Sequence, residues 1–171
     1  MKRADDEDAR PKLMKSDLTT KIAAPADLAS LVELYSGFRD SLLRTTPTVE
    51  ELKTSLDILV KSSEVRLFLA RVDGRSVGYA ALRYLYSAWV SGEEALLEDL
   101  YVCSEFRGSG VGRCLVEHAI QEAKARGCRS MSLDTNENNA SSNALYRGLG
   151  FTSERPRWSG GRQIRYDLKL A

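Results

Sequence analysis

Residues 104–115 read SEFRGSGVGRCL and place three glycines, Gly108, Gly110 and Gly112, within five positions behind Arg107. Glycine at that density normally marks a loop, because glycine loses the most backbone entropy on ordering. Yet EALLEDLYV before it reads as a strand, and VGRCLVEHAIQEAKARG after it reads as a helix. A helix start exposes unpaired N–H groups and the positive end of the helix dipole, which together attract an anion. Glycines let the backbone close on that anion, and successive turn amides form a concave nest around it. Arg107 adds a fixed charge with bidentate donors. The physical reading is a diphosphate-binding loop, set against a glycine turn that merely packs a strand tightly on a helix.

Outward from this junction the chain alternates between strand and helix signals. LTTKIAA (18–24) reads as a first strand. Pro25 and Asp27 open a helix carrying Leu28, Leu31, Val32 and Tyr35 at helical spacing, and Gly37 is expected to stop it. Thr48, followed by Val49-Glu50-Glu51, is an N-cap with acids in the first turn of a helix over 49–61. EVRLFLARV (64–72), the Asp73-Gly74 turn and RSVGYAALRYLY (75–86) form a hairpin. SGEE (91–94) turns into the strand 95–102, and the glycine junction leads into a helix over 110–126 closed by Gly127. A strand over 129–135, a helix over 141–150 and a closing hairpin around Ser159-Gly160-Gly161 complete the order β α α β β β α β α β β. That order predicts an α+β fold, an α/β sandwich with a mixed sheet and helices on both faces.

Composition narrows the classes. A chain of 171 residues can bury one proper core and is short for two. Nine of the first fifteen residues are charged, of both signs, so residues 1–16 are expected to form a disordered tail before a single domain over 17–171. The formal net charge of +1 supplies no long-range field toward nucleic acid or an anionic membrane. The first fifteen residues hold no apolar run and no apolar stretch reaches membrane length, so neither a leader nor a membrane span is expected. Three cysteines without ligand spacing, and one histidine (His118), predict no metal site and reduced thiols in a cytoplasmic protein. His118, inside the long helix, reads as a structural histidine, and the cysteines as small core residues.

Three anion-loop patterns compete for residues 107–113. The P-loop needs Gly-Lys-Ser/Thr where this chain has Gly112-Arg113-Cys114. The dinucleotide fingerprint needs G-x-G-x-x-G where this chain has G-x-G-x-G, although Asp134 stands about where a ribose-binding acid belongs. R-x-x-G-x-G is met by Arg107, Gly110 and Gly112.

A second constellation decides between them. NNASSNALYRGLGF (138–151) resembles the N-x-x-A/S-x-x-x-Y-x-x-L-G-F signature of the GNAT superfamily, the Gcn5-related N-acetyltransferases, through Asn139, Ser142, Tyr146 and Leu149-Gly150-Phe151. It follows the glycine loop by about thirty residues, and the likeness covers 17–171 in the family's element order. The resemblance implies a mostly antiparallel sheet of six to seven strands with a splayed central pair, and acetyl-CoA as co-substrate without a metal. The amides of Arg107, Gly108, Ser109, Gly110, Val111, Gly112 and Arg113 would hold its pyrophosphate. The free backbone of Leu100, Tyr101 and Val102 would take the pantetheine arm as a pseudo-strand, with Asn139 and Ser142 contributing from the next helix. Main-chain N–H in the same strand would polarise the carbonyl.

Direct acyl transfer to an amine calls for a base and an acid on opposite sides of the carbonyl. Tyr146 stands at the family's general-acid position, set against a tyrosine that only packs its ring on the sheet. Glu98 is the candidate base, directly or through water, set against a solvated edge carboxylate. The strand period of two turns its neighbour Asp99 to the other face. RYLYSAWVSGEEALLEDLYV further resembles the diamine and polyamine acetyltransferases, in which Glu98 and Asp99 would attract a cationic amine and Tyr86 and Trp89 would offer aromatic faces. An extra residue between Trp89 and Glu98, and the basic Arg155, Arg157, Arg162 and Arg165, depart from that branch. The acceptor therefore stays open among a polyamine-like small amine, an aminoglycoside, an amino acid and a protein amine. A non-catalytic acyl-CoA sensor and a nucleotide-dependent oxidoreductase are the other classes. Tyr146 speaks against the first, and the second rests on the glycine loop alone. The resemblance also implies a homodimer.

Overall fold

The structure is a computed structural model and describes residues 18–153. In chain order these form β1 (Leu18–Ile22), α1 (Leu28–Ser41), α2 (Val49–Leu59), β2 (Val65–Val72), β3 (Arg75–Ser87), β4 (Gly92–Val102), α3 (Val111–Ala125), β5 (Ser130–Leu133) and α4 (Ala140–Arg147). The expected tail over 1–16, the closing hairpin around Ser159-Gly160-Gly161 and the four arginines beside it lie outside the described residues. The chain divides into two compact units between Asn136 and Glu137.

The first unit carries a five-stranded sheet in the order β1-β2-β3-β4-β5. Every neighbouring pair is antiparallel except β4 and β5, which run parallel because α3 connects them. The fold is α+β, with the mixed and mostly antiparallel sheet expected. Its five strands are those among the described residues; the sixth and seventh were read in the closing hairpin.

The two sheet faces follow from strand alternation. Val65, Leu67, Leu69, Tyr79 and Ala81 bury against Leu31 and Leu34 of α1 and Leu52 and Leu56 of α2. Phe68, one residue out of step, meets His118 of α3 edge-on at 5.0 Å between ring centroids. His118 Nδ1 lies 3.0 Å from Thr20 Oγ1, which gives this histidine a structural place between α3 and β1. The far end of α3 is pinned as well. Arg126 binds both Glu93 carboxylate oxygens at 2.7 Å and lies 3.9 Å over the Tyr84 ring.

Thr48 caps α2 as its sequence predicts, taking the Glu51 N–H while Glu51 returns a carboxylate to the Thr48 N–H at 2.7 Å. Gly37 does not stop α1, which runs on to Ser41. A Cβ at this position would come 3.0 Å from the Tyr101 hydroxyl oxygen. The glycine is there for a close approach between α1 and β4, and its cost in helix propensity is absorbed inside the helix.

Candidate active site

The parallel ladder between β4 and β5 ends at Leu97 opposite Leu133, while β4 runs on to Val102. From Glu98 onward that edge of β4 has no strand partner among the described residues, so the central pair is splayed. On the other side Cys103 N–H bonds to Val77 O at 2.9 Å, and the register continues Gly78 to Val102, Tyr79 to Tyr101 and Ala80 to Leu100. Antiparallel alternation then directs the main-chain groups of Tyr101 at β3 and those of Leu100 and Val102 at the open edge. The Val102 carbonyl is already taken: Arg107 Nε donates to it at 3.0 Å, and the guanidinium lies 6.0 Å over the Tyr101 ring. Leu100 therefore offers an N–H and a C=O, and Val102 an N–H.

The glycine junction sits at the end of this edge. Gly110 is the N-cap of α3 at φ +94°, and Gly108 has φ +78°, conformations that cost other residues steric strain. The first α3 hydrogen bond runs from Cys114 N–H to Gly110 O, which leaves the N–H groups of Val111, Gly112 and Arg113 without an intrahelical partner. Arg113 spends its side chain on Glu117, one turn along. Ser109 bonds to Phe106 O. The loop thus offers amides, and Arg107 props the edge strand from within.

The two acids of β4 depart from simple alternation. Ala81 pairs with Asp99, but Leu82 pairs with Leu97, so Glu98 is the extra residue of a β-bulge. The expectation that Glu98 and Asp99 face opposite ways is corrected here: a bulge sets two residues opposite one. Arg83, on the Ala81 face of β3, binds Glu98 with Nε to Oε1 and an Nη to Oε2, both at 3.0 Å. Asp99 is half-buried. Burial pushes its carboxyl above the ordinary 3.8, and the charge of Glu98 pushes it further.

The aromatic surroundings of Asp99 come from three elements. Tyr35 of α1 stacks on Tyr79 of β3 at 4.0 Å, Phe38 tilts against Tyr101 at 5.4 Å, and Tyr101 lies 6.1 Å from Tyr79. Burial, and then the charge of Asp99, raise the Tyr35 hydroxyl far above the tyrosine range. Burial raises Tyr79 likewise, and its hydroxyl finds no hydrogen-bond partner among the described residues. This cluster was not singled out in the sequence, although the i, i+3 spacing of Tyr35 and Phe38 on α1 was there to see. Tyr86 and Trp89 are instead 77% and 91% exposed at the β3–β4 hairpin. Tyr86 pairs with Glu93, which stands five strand positions, roughly 16 Å, from Glu98. The structure does not bring these two aromatics to the acids.

In the second unit the Asn139 side chain caps α4, accepting Ser142 N–H at 3.2 Å. The chain closes α4 with Gly150 at φ +91°, and Phe151 N–H returns to Tyr146 O at 3.0 Å. Phe151 then lies edge-on to the Tyr146 ring, 5.9 Å away. Leu149-Gly150-Phe151 thereby orients Tyr146. Burial raises the pKa of its hydroxyl, which stays protonated at neutral pH.

The family model "Acetyltransferase (GNAT) family" matches residues 29–151, from the start of α1 to the Phe151 that packs on Tyr146. The chain belongs to the GNAT acetyltransferase family. It is an acyltransferase, and GNAT acetyltransferases use acetyl-CoA. An aminoglycoside N(6')-acetyltransferase type 1 of Stenotrophomonas maltophilia is 32% identical over 144 residues, covering 81% of this chain and 89% of that protein. A thialysine N-epsilon-acetyltransferase of Sus scrofa is 35% identical over 74 residues, 43% of each chain. The crystal structure of an aminoglycoside acetyltransferase from an uncultured soil metagenomic sample, in complex with sisomicin, shares the fold. Its TM-score is 0.73 at 19% identity, covering 90% of this chain and 98% of that one. Among the described residues of this GNAT domain, no helix is long and apolar enough to cross a membrane, and no cluster of side chains could hold a metal ion.

Proposed function

We propose that this chain transfers the acetyl group of acetyl-CoA to a primary amine on a small molecule carrying several ammonium groups, such as an aminoglycoside or a polyamine-like amine. One observation carries the reading of the acceptor. The paired acids of the β4 bulge, Glu98 and Asp99, lie on the sheet face that carries Tyr79 and Tyr101 and meets Tyr35 of α1, next to the open edge of the same strand. Carboxylates beside aromatic faces attract ammonium groups, and half-buried ones do so with little screening. The relatives named for aminoglycosides and thialysine support an amine of this kind.

Acetyl-CoA supplies the activated acyl group as a thioester. The unpaired amides of Val111, Gly112 and Arg113, with the loop from Arg107 to Gly110, suit its pyrophosphate. Leu100 N–H, Leu100 C=O and Val102 N–H suit the amides of the pantetheine arm, which would add to β4 as a strand does. Asn139 and Ser142 open the helix that carries Tyr146. A carboxylate of the bulge accepts one proton from the ammonium and frees its lone pair. A main-chain N–H of β4 donates to the carbonyl oxygen while the nitrogen–carbon bond forms and the carbon–sulfur bond breaks. Tyr146 gives its hydroxyl proton to the departing sulfur and is restored by the second proton shed from nitrogen. A long polycation held at Asp99 would have to extend along β3 and β4 to touch Tyr86.

The test is mass detection of products after incubation with acetyl-CoA and a panel of amines. The panel holds aminoglycosides, polyamines, amino acids and short peptides, and Tyr146→Phe runs beside the wild type. The expected result is one acetylated polycation, formed about 100-fold more slowly by the variant at unchanged acetyl-CoA affinity. A peptide or amino acid as the sole product would overturn the acceptor class, and full activity in Tyr146→Phe would overturn its role as the acid.

A further inference from the structure

We infer that Arg83 is a positioning residue that divides the work between the two acids of the β4 bulge: it holds Glu98 through both carboxylate oxygens and leaves Asp99 to take the proton of the incoming amine. The inference rests on the acetyl-transfer reading above and deepens it.

The geometry carries the first half. Arg83 and Glu98 make two parallel bonds of 3.0 Å, the fork arrangement that fixes a carboxylate most firmly. Both Glu98 oxygens are thereby engaged and turned toward β3, and a base needs a lone pair aimed at the proton it removes. The bulge brings the second acid beside this pair. Leu96 stands opposite Arg83, so Glu98, two positions on, shares the face of Arg83 by ordinary alternation, and the extra residue turns Asp99 onto that face as well.

The second half follows from what faces Asp99. Glu98 lies beside it on β4, Tyr35 comes from α1, Tyr79 from β3, and Arg83 stands behind Glu98. The two hydroxyls stay neutral, because burial drives both far above the tyrosine range. Among the described residues the charge that acts on Asp99 is that of Glu98, which raises its carboxyl, and Arg83 stands behind Glu98 as the counter-charge. The negative charge of Asp99 is left to attract an ammonium group, and its raised pKa brings it closer to that of an effective base near neutrality.

This arrangement makes two opposite predictions. Arg83→Met strips Glu98 of its counter-charge, so the proton affinity of Asp99 rises. Glu98→Gln frees Arg83 beside Asp99, so that affinity falls. The experiment is 13C-carboxyl NMR titration of the full chain labelled at aspartate, with Asp99→Asn to assign the resonance. The expected shifts of the Asp99 midpoint are about one pH unit up for Arg83→Met and a comparable amount down for Glu98→Gln. The double variant should return near the wild-type value. Arg83→Lys keeps the charge and should move the midpoint least, which separates electrostatics from any loss of folding.

In a kinetic arm, with kanamycin and spermidine as probe acceptors, the acid limb of kcat/KM should move in the same order. An Asp99 midpoint unmoved by either single variant would overturn the inference. So would acetyl transfer lost in Glu98→Gln and retained in Asp99→Asn, because Glu98 would then be the base. The titration needs no acceptor. Shifts as expected without product from any amine would sink the acetyl-transfer reading and leave the electrostatic one standing.

Discussion

If Asp99 takes the proton of the amine as proposed, function and stability pull in opposite directions at this residue. Its folded pKa lies above the ordinary 3.8, so the native state binds more protons than the unfolded chain between those two values. Stability contributed by this group is therefore full below the ordinary pKa and lost as pH rises through the raised one. Asp99→Asn removes that loss. The variant should be more stable than the wild type at pH 7 to 8, with the gap closing as pH falls to the ordinary carboxylate range. Its acetyl transfer should fall by about 100-fold or more. Denaturation at several pH values, beside one activity assay, reads both effects. Equal stability at pH 8 would mean that Asp99 carries no burial cost. Asp27 shows the reverse case. Burial pulls its carboxyl up, but the Ala24 N–H, Lys21 and Arg71 outweigh burial and hold it below the ordinary value. Tyr146 was recognisable as the candidate acid from its motif, whereas the orientation of its ring became visible only with Gly150 turned to positive φ and Phe151 folded back on it.

At the scale of elements, the site is a property of β4 and of what borders it. Gly78 of β3 stands opposite Val102, and a Cβ there would lie 2.7 Å from the Tyr101 carbonyl oxygen, a backbone atom that cannot swing aside. Gly78→Ala must push β3 and β4 apart next to the free edge of Leu100 and Val102. It should cost about 1–3 kcal/mol in denaturant unfolding and raise KM for acetyl-CoA. An unchanged KM with lowered stability would separate the edge geometry from the packing. The hairpins, the capped α2 and the glycine-capped α3 were legible, because alternation, caps and turn residues act within a few positions of themselves. Gly37 was misread for the complementary reason. Its role is set by Tyr101, 64 positions away in the chain, and nothing near Gly37 announces that neighbour.

At the scale of the molecule, binding should appear as stabilisation. Acetyl-CoA at 100-fold over its Kd should add about 2.7 kcal/mol, roughly 5–10 °C in Tm for a chain of this size. NAD should add nothing. A shift with NAD and none with acetyl-CoA would overturn the reading of the glycine loop.

The sequence by itself determined the α+β class, the glycine junction between strand and helix, the helix motif around Tyr146 and hence the family. Each is written in contiguous residues whose spacing matches a strand, a turn or a helix. Only the tertiary structure decided which acids and rings share the site. The bulge at Glu98 exists because β3 and β4 differ by one residue between two pairings, a relation between strands that β4 alone does not encode. The Arg83–Glu98 pair and the Tyr35–Tyr79–Tyr101 cluster follow from that register and from where α1 docks, so they form only when distant segments pack together.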